Sequence, residues 1–282
     1  MHAGLSVPAA ADGTGSVSGA AGTAPDAGAV DLSVDGTIAI IRLQRAAKRN
    51  ALNVPMLQAL DDCCQQIEAD QTVRVVILAA AGKVFCSGGD IGAWAQLAPA
   101  AFAYQWVRYG HRVFDKLAGL RPPLIAALGG PAFGGGLELA ATADLRVAER
   151  DVSIGLPETG LGMVPGWSGT QRMVRRFGAP VVRRMALGGE SFTADEALAL
   201  GLVDRVVAPG EALDAARSWA QQIAARGPLA VQAAKLMIAA AEGEAAESAI
   251  EAMAGAVVAQ SQDLREGVTA FREKRAPEFG GE

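Results

Sequence analysis

Two hydrophobic rhythms alternate along this chain. Thr37–Leu43 (TIAIIRL) is apolar and rich in β-branched residues, which predicts a strand. Val73–Ala79 and Leu124–Leu128 read as buried strands, Leu145–Ala148 and Val203–Val207 as shorter ones. Between them, Met56, Leu57, Leu60 and Ile67 recur at helical spacing within Val54–Ala69. Further helices are predicted at Phe102–Leu117, Gly135–Ala143, Ser168–Phe177, Ala179–Leu187 and Ala194–Leu200. Strands alternating with helices predict an α/β fold built from right-handed crossovers.

The two ends depart from this rhythm. Residues 1–30 are almost entirely small and polar, too poor in apolar surface to offset chain entropy, and read as a disordered Ala/Gly-rich extension. Residues 31–210 form the predicted core. From Glu211 to Lys274 the pattern is helical, broken at Gly227-Pro228, with narrow alanine faces in Leu229–Ala241 and Ala245–Gln260. Residues 211–282 are therefore expected to cover the core or to join subunits.

Composition narrows the chemistry. A net charge of −5 disfavours nucleic acid as a partner. Only His2 and His111 are present, so a histidine-rich metal site is excluded and a Ser-His-Asp triad would have to use His111, which reads as a helix-face residue. Cys63, Cys64 and Cys86 have neither disulfide-framework nor metal spacing and fit a reduced, cytoplasmic setting. No run approaches the ~18 uninterrupted apolar residues of a membrane span, and the N-terminus has no basic region followed by an apolar core. There is no phosphate-loop or dinucleotide signature, and Gly166–Thr170 lacks the closing glycine of a nucleophile elbow.

What remains is two glycine loops and two glutamates. Phe85-Cys86-Ser87-Gly88-Gly89-Asp90 and Phe133-Gly134-Gly135-Gly136-Leu137-Glu138 can each aim backbone N–H groups at one oxygen, the second at the start of a predicted helix. Glu138 lies in an apolar run, which should raise its pKa; Glu158 follows Pro157, twenty residues on. Paired N–H donors suit the oxyanion of an enolate, and carboxyls of raised pKa suit proton transfer. Taken singly, a triple glycine also reads as a flexible turn and each glutamate as a surface or capping residue.

Several ordered motifs over residues 32–280 resemble the crotonase (enoyl-CoA hydratase/isomerase) superfamily. They are Arg45…Asn50-Ala51-Leu52-Asn53, the two glycine loops, Pro157-Glu158, Pro165-Gly166, Gly169-Thr170-Gln171-Arg172, Ala194…Ala197…Gly201-Leu202-Val203 and Phe271–Arg275. The resemblance implies a spiral of ββα units with a helical C-terminal region, assembled as a homotrimer or homohexamer. It implies that Gly89 and Gly135 N–H groups hold a thioester oxygen, that Glu138 activates water and that Glu158 protonates the α-carbon. The substrate would be an acyl-CoA thioester, with coenzyme A entering as part of it and no metal or redox cofactor required.

Coenzyme A would lie along the first loop, near Cys86, Ser87, Asp90 and Ile91. Its phosphates would meet Lys48, Arg49 and Lys274, the last from a neighbouring subunit; all three also read as plain surface charge. Cys86 reads as a packed small side chain and Asp90 equally as a loop brace. Ile91–Tyr109, with Trp94, Phe102, Tyr104 and Trp106, is expected to wall the acyl pocket. Trp167 stands where typical hydratases carry a small residue, so it either narrows that pocket or turns away into the core. Both glutamates together imply hydration of a trans-2-enoyl-CoA. Isomerisation or thioester hydrolysis on the same oxyanion hole is the alternative, and a non-catalytic or RNA-binding relative is disfavoured by the acidic charge.

Overall fold

The computed structural model describes residues 29–282. All but the last two residues of the predicted extension lie outside them. Among the described residues nine strands are formed: β1 Ala29–Asp35, β2 Ile38–Gln44, β3 Val75–Ala80, β4 Leu124–Leu128, β5 Ala132–Phe133, β6 Leu145–Glu149, β7 Ser153–Gly155, β8 Ser191–Thr193 and β9 Arg205–Val207. One sheet has the order β1-β2-β3-β4-β6-β9, parallel except for the β1–β2 hairpin; the other is β5-β7-β8. The fold is mixed α/β, as expected.

Both faces of the larger sheet are covered, which is why its central strands read as continuous apolar runs. Ala39, Ile41, Val76, Leu78, Ala126 and Leu128 face the main core. The alternate residues Ile40, Val75, Ile77, Ile125 and Val147 face Ala212, Ala216 and Ala220 of helix Ala212–Ala224. Helix Val54–Ala69 starts where Asn53 accepts the Met56 N–H at 3.0 Å, and it buries Met56, Leu57, Leu60 and Ile67.

Some boundaries differ from expectation. β1 begins inside the supposed extension, at Ala29. Ser168 adopts a left-handed φ of 81°, so the helix expected from Ser168 starts only at Arg172. Phe102–Val107 is wound as a π-helix and runs into helix Arg108–Ala118. The C-terminal region is cut into four helices, Ala212–Ala224, Pro228–Ala241, Ala246–Val258 and Gln262–Glu273. The first covers the sheet. The last three bury only Ala249 and Ala270 and leave Leu229, Ile250, Val257 and Phe271 exposed. Among the described residues no helix is long and apolar enough to cross a membrane.

Candidate active site

The site is built at the carboxyl ends of β3 and β4, where parallel α/β sheets present their loops. Asn50 secures the first loop. Buried, it accepts the Arg45 N–H at 2.8 Å and donates to the Ala81 and Val84 carbonyls, each at 2.8 Å. Leu52 then pairs with the loop on both sides, through Leu52 N–H to Gly88 O (2.8 Å) and Asp90 N–H to Leu52 O (2.7 Å). The two glycine loops lie side by side, since Phe85 N–H donates to Pro131 O and Phe133 N–H to Cys86 O. Glycine is needed at 136 because a Cβ there would fall 2.1 Å from the Cys86 carbonyl oxygen.

These contacts leave Gly89 and Gly135 adjacent. Gly135 opens helix Gly135–Ala140, and among the described residues neither Gly89 nor Gly135 N–H is taken by a backbone hydrogen bond. Parallel pairing of β5 with β7, Phe133 opposite Gly155, brings the second glycine loop beside the segment that carries Glu158. Glu138 and Glu158 thus line one cavity of about 350 Å³, together with Gly89 and Gly135.

The two carboxyls differ in their surroundings. Glu138 is 3% exposed, and its Oε1 accepts the N–H groups of Trp167 (2.7 Å) and Gly169 (2.6 Å). Burial first, and the Glu158 charge second, push its pKa up to about 7 against those two donors. Burial also raises Glu158, and among the described residues no donor reaches either of its buried oxygens. The Glu158 charge disfavours ionisation of Glu138, so the charge of one carboxyl bears on the other. The Trp167 and Gly169 N–H groups favour the Glu138 carboxylate against its burial, whereas among the described residues Glu158 has no such donor to favour its charged form.

Linkage follows from the raised Glu138 value. The folded protein keeps this proton up to about pH 7, whereas an unfolded glutamate loses it near ~4.3. Its contribution is thus fully present below ~4.3 and is lost as pH rises through about 7. We expect Glu138→Gln to flatten this part of the pH dependence, read as the difference in urea midpoint between variant and parent from pH 5 to 8. An unchanged slope would refute the raised pKa.

The other expected site residues divide. Ser87, Ile91, Trp94 and Trp167 line the cavity. Lys48 and Arg49 sit beside the first loop, where Ser87 N–H donates to Arg49 O at 3.1 Å. Asp90 pairs with Arg45 at 2.5 Å and accepts the Gly92 N–H, so its side chain braces the loop, and it does not line the cavity. Cys86 is fully buried, donates to Asn50 O at 3.1 Å, and has its thiol pushed by burial up to about 12. Lys274 is exposed beyond helix Gln262–Glu273 and does not line the cavity. Of the expected pocket aromatics, Phe102 and Trp106 join Trp94, whereas Tyr104 is exposed and does not line the cavity. Among the described residues no three His, Cys, Asp or Glu side chains converge as a metal site.

Two residues escaped the sequence reading, and a third, His111, was expected only as a helix-face residue. His111 lines the cavity, with Nε2 3.1 Å from Ser168 Oγ and 3.4 Å from Asp115. Ser168 separates the two residues whose N–H groups clamp Glu138. Gly110 is the seat of the Trp167 indole, and a Cβ there would lie 2.3 Å from its Nε1. Gly110→Ala should therefore displace the ring and cost about 1–3 kcal/mol, as overpacking does. That penalty should shrink when Trp167→Ala is introduced as well, which a double-mutant thermal melt would check.

The sequence profile for enoyl-CoA hydratase/isomerase matches residues 33–282. The chain belongs to that family, within the crotonase superfamily. It is 36% identical over 253 residues to a crotonyl-CoA hydratase of Syntrophomonas wolfei, covering 88% of this chain and 96% of that one. It is 35% identical over 249 residues to a short-chain-enoyl-CoA hydratase of Clostridium acetobutylicum, covering 87% and 95%. Among solved structures it resembles an enoyl-CoA hydratase from Bacillus anthracis, with a TM-score of 0.74, 33% identity and 90% and 99% coverage.

Proposed function

We propose that this chain hydrates a trans-2-enoyl-CoA to a 3-hydroxyacyl-CoA. The observation that carries the reading is the buried Glu138–Glu158 pair lining one cavity beside two unused N–H groups. The thioester oxygen accepts from Gly89 and Gly135 N–H, which stabilise the enolate that forms when water adds to the β-carbon. Glu138 takes the proton of that water and Glu158 gives one to the α-carbon. Water supplies the hydroxyl and one proton, and the pair ends with its proton exchanged between partners. Coenzyme A rests along Cys86–Ile91, its phosphates near Lys48 and Arg49. Lys274 reaches CoA only across a subunit boundary, consistent with the apolar surface that the last three helices leave exposed. A homotrimer, alone or paired, would cover that surface.

The test is the product mass after incubation with crotonyl-CoA. Hydration adds one water to the thioester. An unchanged mass with a moved double bond would mean isomerisation, and release of free CoA thiol would mean hydrolysis.

A further inference from the structure

Three indoles converge on Gly89, at the place where the thioester oxygen is held. A Cβ at Gly89 would lie 2.8 Å from Trp106 Cζ2, 3.4 Å from Trp167 Cη2 and 3.5 Å from Trp94 Nε1. The same Trp167 ring backs the second donor residue, since a Cβ at Gly135 would lie 2.7 Å from Cζ3 and 2.8 Å from Cε3. Trp167 thus lies against both oxyanion glycines at once, and it does so without freedom to move. It is 3% exposed and is wedged between Trp106 and Phe114, with ring centroids 5.0 and 5.2 Å away. Its Nε1 donates to the Trp106 carbonyl at 3.4 Å. Its far edge fills the notch that Gly110 leaves in helix Arg108–Ala118.

The backbone N–H of the same residue holds Glu138 at 2.7 Å, so the ring is tied in position next to the carboxylate by the segment that bears it. A thioester oxygen fixed at Gly89 and Gly135 sets where its acyl carbons begin, and Trp167 fills the volume next to that point. On the hydratase reading above, we propose that Trp167 is the acyl-length determinant of this enzyme. Its indole walls off the core side of the pocket and restricts the substrate to short 2-enoyl chains of about four to six carbons. A wall of fixed aromatic rings rejects each additional methylene by the cost of displacing it.

The experiment compares kcat/KM for 2-enoyl-CoAs of four, six, eight and ten carbons in the parent, Trp167→Ala and Trp167→Phe proteins. The parent should fall steeply beyond six carbons. Trp167→Ala should raise the eight-to-four-carbon ratio by at least about tenfold, with Trp167→Phe in between. The ratio is unaffected by a uniform loss of activity, and Trp167→Phe keeps an aromatic ring in the core if the alanine variant does not fold. A ratio changed less than twofold in folded variants would overturn the proposal, and would direct the chain over Leu161, Met163 and Val164 instead. If the parent hydrates none of these substrates, calorimetric binding of saturated acyl-CoAs of the same lengths reads the pocket separately. A length cutoff relaxed by Trp167→Ala would then uphold the wall while the hydratase reading fails. Length-independent binding in both proteins would reject the wall itself.

Discussion

Glu138→Gln is expected to lower kcat for crotonyl-CoA hydration by about two to four orders of magnitude, with KM changed far less. The amide has the volume of the carboxylate and its oxygen still accepts the Trp167 and Gly169 N–H groups, so the loop at 166–169 keeps its anchor. What it loses is the ability to take a proton from water. Glu158→Gln should cost a similar factor for the complementary reason: an amide has no acidic proton for the α-carbon. Because both carboxyls act in one event, the double variant should be scarcely slower than the worse single one. Stopped-assay product quantitation at saturating substrate checks this, with thermal melts confirming folded protein. A Glu138→Gln enzyme retaining more than a tenth of parental kcat would remove this residue from the chemistry and revive isomerisation or thioester hydrolysis as readings.

The fold was legible where apolar runs were long enough to carry a period. β2, β3, β4 and helix Val54–Ala69 fall within two residues of their expected bounds. β5, β7 and β8 span two or three residues, too short for any period, and they escaped notice. That omission matters for the site. The glycine loops and both glutamates stand out along the chain, but their meeting depends on the pairing of β5 with β7. Spacing of twenty residues cannot report such a contact; only the motif resemblance pointed to it. β1 escaped because its alternation of Val30, Leu32 and Val34 with Asp31, Ser33 and Asp35 adjoins a low-complexity stretch.

The role of Trp167 was illegible for a different reason. Its two readings, pocket wall and core residue, were posed as alternatives, yet the ring belongs to the core and lines the cavity. What reconciles them is Gly110, fifty-seven residues earlier, which nothing in the local sequence marks as a partner. Similarly, Asn50 was visible as part of a motif, while its service to the Ala81 and Val84 carbonyls required the folded loop.

The largest expected stability effect lies away from the carboxyl pair, at Glu244. This side chain, 10% exposed, meets Arg172 at 3.4 Å, Arg175 at 3.1 Å and Arg176 at 3.2 Å. Burial alone would raise its pKa, but the Arg176, Arg172 and Arg175 guanidiniums together hold it below the usual carboxylate range. Two of those guanidiniums are themselves buried, with side chains 3% and 8% exposed. Glu244→Ala would leave Arg172 to Asp115, and Arg176 to Glu242 and the carbonyls of Ala141, Thr142 and Ala143. Partial compensation of that kind puts the loss at about 3 kcal/mol, the lower end for breaking a buried pair. The exposed Arg150–Asp195 pair serves as the control, since its removal should change the melting midpoint little. A folded-state pKa below the unfolded value also fixes the sign of the pH effect. The Glu244 contribution is present above the unfolded pKa and is lost as pH falls through the folded one, so the gap between parent and variant should close in acid. The consequence reaches the active site, because Arg172 N–H donates to Ser168 O within the segment whose neighbours clamp Glu138. Loss of Glu244 should therefore lower kcat as well as the midpoint, whereas the Arg150–Asp195 control should leave both in place. A Glu244→Ala protein melting with the parent would show that Asp115 and Glu242 suffice to hold these arginines.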